Sequence, residues 1–294
     1  MSATFSMPKR PLTWLITGCS SGFGLSLARL VQANGHNLIA TSRNPARVPE
    51  LVAEVEQKGG KWLALDVNDQ NSGQVIEELE AGGQAIDVLV NNAGYCVYAP
   101  AECLAEDEVR GLMETAYFGP YRLIRAVLPH MRARRFGVVV NVSSGAALDA
   151  RDSMAAYGAA KAALDALSRT LVKEVSPFNI RVLTVQPGTF NTNMFNATIL
   201  GRNALPDDYR GSVAEQTMRG LASGAFQADG DKDKAMRAVY ELVVGEGVGA
   251  GRESERLLPL GRDLVARLKG VQEYYAHALE VFGDVCNNVY RDGR

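Results

Sequence analysis

Apolar runs of strand length alternate with longer amphipathic stretches along most of this chain. The segments Asp87-Val88-Leu89-Val90 and Val138-Val139-Val140 carry Val and Leu without polar alternation. Strands of this kind are buried on both faces, as in parallel sheets that helices cover on each side. The alternation therefore predicts an α/β fold in a single domain: a Rossmann-type, doubly wound parallel sheet of about seven strands with helices on both faces.

The same patterns place the individual elements. Strands are predicted at 12–17, 37–42, 61–66, 86–91, 137–143, 179–186 and 256–260, and helices at 22–34, 46–57, 70–81, 105–134, 154–176, 232–244 and 262–282. The least regular stretch, 189–230, is expected to be a partly helical, substrate-binding excursion. The helix at 262–282 is expected to end the domain.

Composition narrows the classes of function. The net charge of −2 gives no indication of a basic surface that would bind nucleic acid or an anionic membrane. The four cysteines have no metal-ligand spacing, which suits a reducing compartment. The first ten residues resemble no targeting signal, and no apolar run is long enough to cross a bilayer. We therefore expect a cytoplasmic protein.

Tyr157 and Lys161 stand four residues apart, and Tyr157 follows Ser144 by thirteen residues. A four-residue step places both side chains on one face of a helix. A nearby ammonium would favour the phenolate and lower the phenol pKa. Such pairs also arise by chance on solvated helices, so the signal depends on its surroundings.

A glycine-rich turn follows the first predicted strand. Gly18, Gly22 and Gly24 have the spacing G-x-x-x-G-x-G and lead directly into the first predicted helix. Glycines there let the backbone approach a pyrophosphate, which the helix N-terminus attracts. Glycines in a tight turn can also be purely structural.

These motifs together resemble the classical short-chain dehydrogenases/reductases over roughly residues 12 to 260. They are Thr17-Gly18-x-x-x-Gly22-x-Gly24, Asn91-Asn92-Ala93-Gly94, Ser144, Tyr157, Lys161, Pro187-Gly188 and Thr192. Two segments look most like those of the steroid and retinol dehydrogenase branch. They are Cys19-Ser20-Ser21, between the first two glycines of the turn, and Ala40-Thr41-Ser42-Arg43. The resemblance also implies a homodimer or homotetramer.

The end of the second predicted strand indicates which cofactor binds. An acidic residue there would hold a free adenosine ribose, but this chain has Ser42 followed by Arg43. A guanidinium matches the 2′-phosphate, so NADP(H) is expected, although Arg43 could instead be a solvated loop charge. The cofactor-binding residues that the resemblance implies are Gly18, Ser20, Ser21, Gly22, Phe23, Gly24, Arg43, Asp66, Val67, Asn92, Gly94, Tyr157, Lys161, Pro187, Gly188, Phe190 and Thr192.

The resemblance implies that Tyr157 is the general acid of reduction and the base of oxidation. Lys161 would lower the pKa of the phenol and bind the nicotinamide ribose, and Ser144 would hydrogen-bond the substrate oxygen. The expected activity is NADP(H)-dependent interconversion of a carbonyl and an alcohol. An NADP-binding protein with a non-redox role, as a sensor, scaffold, isomerase or cyclase, is the alternative.

One position departs from the family pattern. Where the family usually has Asn, this chain has Ala116, four residues before Pro120. Because proline lacks an N–H, the carbonyl of Ala116 would lose its helical partner and could hold the water that relays the proton. Thr115 is not expected to substitute, since one helical step turns a side chain by about 100°.

The predicted substrate side is rich in apolar residues. They are Tyr95, Cys96, Val97, Tyr98, Ala146, Ala147, Leu148, Phe190, Met194, Phe195, Ile199, Leu200, Leu205 and Tyr209. Any one of them could instead pack the excursion against the sheet. Collectively they favour a bulky apolar substrate of steroid, retinoid, polyketide or terpenoid type.

Overall fold

The computed structural model describes residues 5–149, 151–192, 199–223 and 228–291. The strands are β1 Thr13–Ile16, β2 Asn37–Ser42, β3 Lys61–Ala64, β4 Val88–Asn91, β5 Val97–Tyr98, β6 Gly137–Val142, β7 Ile180–Pro187, β8 Ile199–Leu200 and β9 Leu257–Leu260. The α-helices are α1 Gly22–Ala33, α2 Pro49–Gln57, α3 Gln74–Ala81, α4 Glu106–Met113, α5 Gly119–Arg134, α6 Ala155–Val175, α7 Val213–Ala222, α8 Lys232–Val244 and α9 Arg262–Asn288.

Seven strands form one parallel sheet in the order β3-β2-β1-β4-β6-β7-β9. The chain winds outward from β1 in one direction and from β4 in the other. The strand order therefore reverses between β1 and β4, where α/β sheets of this type open a crevice at the carboxyl ends of the strands. The predicted doubly wound parallel sheet is confirmed.

Helices cover both faces of this sheet. On β1, Trp14 and Ile16 belong to the apolar cluster that contains residues of α1 and α8, whereas Leu15 belongs to the cluster that contains residues of α3, α5 and α6. All three side chains are at most 1% exposed. Because successive strand residues point to opposite faces, a strand covered on both sides needs apolar residues at every position, as the sequence indicated.

The predicted helix at 105–134 is not continuous. A single π-helical turn at Glu114–Phe118 separates α4 from α5. Other boundaries also differ: α3 begins at Gln74 instead of residue 70, and α9 runs six residues past the predicted end at 282. In the described parts of the chain, no helix is both long and apolar enough to span a membrane.

The two ends of the excursion at 189–230 lie side by side. Phe190 and Gly230 form a parallel bridge, and the N–H of Asn191 donates to the carbonyl of Gly230 over 2.9 Å. Between these ends, β8 pairs with β5 and α7 follows. The predicted contributions of Met194 and Phe195 lie outside the described residues.

Candidate active site

A cleft of about 850 Å³ opens at the carboxyl edge of the sheet. It lies at the reversal of strand order between β1 and β4, where the turns after both strands meet. With the exception of Gly24, every predicted site residue lines it: Gly18, Ser20, Ser21, Gly22, Phe23, Arg43, Asp66, Val67, Asn92, Gly94, Ser144, Tyr157, Lys161, Pro187, Gly188, Phe190 and Thr192. The fold thus brings together residues spread over 175 positions of the sequence.

Close backbone packing explains the glycines of the turn after β1. Gly18 has φ of +72°, and a Cβ there would lie 2.9 Å from the Cα of Ala93. Gly24 lies behind the cleft wall, where a Cβ would lie 2.6 Å from the amide nitrogen of Asn92 and also overlap the carbonyl of Gly18. Asn92 holds the turn by donating to the carbonyl of Thr17 over 2.8 Å. The turn and the segment after β4 therefore form one rigid wall.

The N-terminus of α1 faces the same cleft. Ser21 is its N-cap residue, but the Ser21 side chain makes no capping hydrogen bond. The first N–H groups of a helix have no partner within the helix and attract anions. Thr192 closes the turn from the other side, since a Cβ on Gly22 would lie 3.6 Å from that of Thr192. This arrangement fits a dinucleotide pyrophosphate.

Arg43 lies at the outer end of this wall, just after β2. Its side chain is exposed, lines the cleft and forms no ion pair with any described residue. Asp66, which follows β3, is also exposed, and its carboxylate accepts a hydrogen bond from the N–H of Asn68 over 3.0 Å. An exposed cation therefore lines the cleft just after β2.

Tyr157 and Lys161 lie on one face of α6, as predicted, and each is 4% exposed. The ammonium of Lys161 lies 5.9 Å from the centroid of the Tyr157 ring and donates to the carbonyl of Val142 over 2.7 Å. Ser144 caps the short turn after β6, where its hydroxyl accepts from the N–H of Ala146 over 3.1 Å. The hydroxyl also hydrogen-bonds the phenol of Tyr157.

The pKa of Tyr157 differs from the prediction. Burial raises it above its usual range, the Cys96 thiol raises it further, and the hydrogen bond with Ser144 opposes the rise. Burial also lowers the pKa of Lys161 to about 8, against the opposing effect of Asp165. The expected lowering of the phenol pKa is therefore wrong for this structure, because desolvation is the largest cause of the shift and raises the pKa. At neutral pH the phenol carries its proton.

A buried polar layer lies beneath this pair. Asp165, one helical turn after Lys161, accepts a hydrogen bond from the side-chain amide of Gln186 over 2.6 Å. Burial raises the pKa of Asp165. Gln186 directly precedes the Pro187-Gly188 turn, so this bond connects the helix that carries Tyr157 to the loop expected to contact the nicotinamide.

The π turn at Glu114–Phe118 changes the account of Ala116. The N–H of Gly119 donates to the carbonyl of Glu114, five residues earlier, so the helix changes register just before Pro120, and the freed carbonyl of Ala116 stays a prediction. Ala116 is buried at 2% exposure. Thr115, which was not expected to substitute, lines the cleft and donates its hydroxyl proton to Asn68 over 2.8 Å. The polar group presented by this helix is thus that of Thr115.

The substrate end of the cleft agrees only partly with the predicted apolar set. Tyr95, Tyr98, Ala146 and Phe190 line it, whereas Cys96 and Val97 pack in a cluster around Tyr157. Ile199 and Leu200 are exposed, and Tyr209 is half-buried. The sequence reasoning missed the lining residues Leu65, Asn68, Thr115, Asp149, Arg151, Asp152, Met154, Val213, Gln216, Thr217, Leu221 and Arg267. None of these lies in a recognisable motif.

The first turns of α9 lie over the substrate end. Arg267 pairs with Asp149 and, over 3.3 Å, with Asp263. A Cβ on Gly145 would overlap the Arg267 guanidinium, and one on Gly188 would overlap Asp263. The glycines thus let α9 approach the loops that follow Ser144 and Pro187.

Comparison with known proteins shows the family to which this chain belongs. Residues 13–202 match the family model described as short chain dehydrogenase. The chain belongs to the short-chain dehydrogenase family. The oxidoreductase claN of Passalora fulva is 40% identical over 186 residues, which are 63% of this chain and 85% of that protein. A 3-ketodihydrosphingosine reductase of Bacteroides thetaiotaomicron is 37% identical over 205 residues, 69% of this chain and 73% of that one.

Solved structures agree with this placement. A short-chain dehydrogenase from Streptomyces avermitilis superposes with a TM-score of 0.84 at 36% identity, covering 97% of this chain and 100% of its own. A Sphingobium yanoikuyae short-chain dehydrogenase in complex with NADPH has a TM-score of 0.70 at 22% identity and covers 96% and 98%. One from Burkholderia phymatum in complex with NAD has a TM-score of 0.75 at 19% identity and covers 90% and 94%. The chain is thus a dehydrogenase/reductase of this family.

Proposed function

We propose that this short-chain dehydrogenase is an NADP(H)-dependent enzyme that interconverts a ketone or aldehyde and an alcohol on a bulky apolar small molecule. The supporting observation is the meeting of Ser144, Tyr157 and Lys161 between the anion-binding turn and an apolar cluster. Bound NADPH would supply the hydride.

The chain's own task is to move a proton at the substrate oxygen. Tyr157, protonated at neutral pH, donates the phenol proton to the carbonyl oxygen as the carbon is reduced. The hydroxyl of Ser144 donates a hydrogen bond to the same oxygen and stabilises its developing negative charge. Lys161 would hold the ribose side of the cofactor with its ammonium, which donates a hydrogen bond to the backbone of β6.

The preference for NADP(H) rests on Arg43 and on the absence of an acid at Ser42. An exposed guanidinium that lines the cleft can form paired hydrogen bonds with a ribose phosphate. NAD lacks this phosphate and would leave Arg43 without an ionic partner.

The apolar substrate class rests on the side chains nearest Tyr157. Tyr98, Ala146 and Met154 line the cleft there, and Leu221 of α7 packs against the same cluster. One relative is named for the reduction of a ketone, 3-ketodihydrosphingosine. A long or bulky apolar ketone is therefore the substrate that we expect to fit this end.

The test is NADPH oxidation against a panel of apolar and polar carbonyl compounds, with parent and Tyr157→Phe enzymes. We expect turnover of the apolar ketones and a loss of about a hundred- to ten-thousand-fold in the variant. The affinity for NADPH should stay nearly unchanged, because the ring still packs. Activity of the variant within a few-fold of the parent would refute the role of Tyr157. Conversion of substrate without cofactor would identify an isomerase or cyclase instead.

A further inference from the structure

Arg267, in the second turn of α9, is a buried charge at the substrate end of the cleft. Its side chain is 11% exposed and lines the cleft. The Nε group of Arg267 donates to the two carboxylate oxygens of Asp149 over 2.9 and 2.8 Å, and Nη2 donates to the same carboxylate. Nη1 donates to Asp263, one turn earlier on the helix, over 3.3 Å. The guanidinium therefore joins α9 to the loop after β6.

The guanidinium also lies against the backbone beside Ser144. A Cβ on Gly145 would lie 2.5 Å from Nη1 and 2.9 Å from Cζ of Arg267, so only glycine allows this approach. Ser144 is the N-cap residue of the short turn at Gly145–Ala147, and its hydroxyl hydrogen-bonds the phenol of Tyr157. A displacement of Gly145 would therefore move the Ser144 hydroxyl relative to that phenol.

Asp263 makes the corresponding contact with the loop after β7. A Cβ on Gly188 would overlap the Asp263 carboxylate, and the N–H of Thr189 donates to that carboxylate over 3.4 Å. This loop is the one expected to contact the nicotinamide. The pair of Arg267 and Asp263 thus connects the loop that carries Ser144 with the loop that would position the cofactor ring.

We propose that Arg267 is a positioning residue, which holds the turn after Ser144 so that the serine hydroxyl stays within reach of the substrate oxygen. This inference rests on the proposed function, in which Ser144 stabilises the charge that develops on that oxygen. A buried ion pair adds little net stability compared with packed apolar side chains, but it can fix the geometry of the groups that it joins. The side chains of Asp149 and Asp263 are 33% and 32% exposed, so water can solvate both carboxylates when the guanidinium is removed.

The experiment is a double-mutant cycle on kcat, measured with NADPH and the apolar ketone that the parent reduces fastest. Ser144→Ala alone should lower kcat by about a hundred-fold, because a donor to the developing oxyanion is lost. Arg267→Met alone should lower kcat by roughly ten-fold, because a small misplacement of a reacting group is costly, and KM and NADPH affinity should stay unchanged. In the Ser144→Ala background, Arg267→Met should cost less than about two-fold, since the group that it positions is absent.

Arg134→Met is the matched control. Arg134 forms another partly buried ion pair, with Glu80, in which the side chains are 22% and 7% exposed. It also donates to the carbonyl of Ile86, just before β4, at the edge of the sheet opposite the cleft. Loss of this pair can lower the thermal unfolding midpoint, but it should leave kcat unchanged.

Two results would overturn the proposal and leave the proposed function intact. One is a ten-fold loss from Arg267→Met in both backgrounds. The other is a raised KM at unchanged kcat, which would assign Arg267 to substrate binding. A Ser144→Ala enzyme with kcat within a few-fold of the parent would refute the role of Ser144 in the proposed function, and the positioning role with it.

Crystal structures of Arg267→Met and Arg134→Met give a comparison that needs no turnover. The Ser144 hydroxyl should lose its hydrogen bond with Tyr157 in the first variant and keep it in the second. An unmoved Ser144 in Arg267→Met would also overturn the proposal. Far-UV circular dichroism checks folding. If Arg267→Met does not fold, Asp149→Asn, which removes the charge that pairs with the guanidinium, takes its place in the cycle and in the crystals.

Discussion

The two ends of the cleft are built differently. At the cofactor end, Gly18, Arg43 and Asn92 lie in turns that directly follow β1, β2 and β4, so the parallel sheet itself brings them together. At the substrate end, Met154, Leu221 and Arg267 each lie seven or more residues beyond the end of the preceding strand. The first end depends on sheet geometry and tight glycine packing, whereas the second depends on how separate segments pack. We therefore expect substitutions to be costly at the first end and, apart from Arg267, tolerated at the second.

The largest effect is expected at Lys161, which stands where the two ends meet. Lys161→Met should lower turnover by roughly a hundred-fold or more, because the ammonium that holds the cofactor ribose is lost. The parent should also lose reductase activity as the pH rises through about 8, where Lys161 releases its proton. Steady-state rates over a pH series check both expectations.

The lowered pKa of Lys161 also predicts how the stability of the protein depends on pH. Burial lowers its pKa from 10.5 to about 8, so the fold disfavours the charged form and the cost is present below pH 8. As the pH rises from 8 to 10.5, the parent should gain up to about 3 kcal/mol of unfolding free energy relative to Lys161→Met. Urea unfolding of both proteins at several pH values measures this difference. A constant difference would show that Lys161 is not desolvated.

Gly24→Ala tests the tight packing of the cofactor end. Its Cβ would lie 2.6 Å from the side-chain nitrogen of Asn92, and no flexible side chain end can relieve its overlap with the carbonyl of Gly18. We expect a loss of about 1–3 kcal/mol of stability and a clear weakening of NADPH binding. Thermal unfolding and fluorescence titration with NADPH check this. Unchanged binding and stability would mean that the turn adapts.

Arg43→Ala separates cofactor preference from cofactor binding. Loss of a charge-assisted hydrogen bond to the 2′-phosphate should weaken NADPH binding by about 1.5–3 kcal/mol, with little effect on NADH. Arg47→Ala is the matched control, because Arg47 is an exposed neighbour that does not line the cleft. Equal losses for the two cofactors would contradict the role of Arg43 as the phosphate reader.

Gly220→Ala should have the smallest effect and completes the contrast with Gly24. Gly220 lies in α7 and lines the cleft, and a Cβ there would meet no atom within 4 Å. We expect a gain of about 0.5–1 kcal/mol in stability from the higher helix propensity of alanine. NADPH affinity should not change, and only the KM of the carbonyl substrate should respond. A loss of NADPH affinity would contradict the independence of the two ends.

The sequence predicted the parts of this protein that local patterns specify. Unbroken apolar strands such as Val138-Val139-Val140 predicted a sheet covered on both faces, and Gly18, Tyr157 and Lys161 indicated the site by their order and spacing. The sheet prediction was confirmed, and the predicted site residues line one cleft because the carboxyl ends of parallel strands meet at one edge. The π turn at Glu114–Phe118 was not predictable in this way, since a change of helical register leaves no clear mark on an amphipathic pattern.

Which chain segments meet around the reacting groups was decided by the tertiary structure alone. Asp149 and Arg267 are 118 residues apart, and neither belongs to a motif, yet they pair above Gly145. The tertiary structure also decided that the pKa of Tyr157 is raised, because desolvation depends on every segment that covers the ring. Sequence spacing determined that a phenol, an ammonium and a hydroxyl would meet. Burial, which is a property of the whole fold, determined that the phenol keeps its proton.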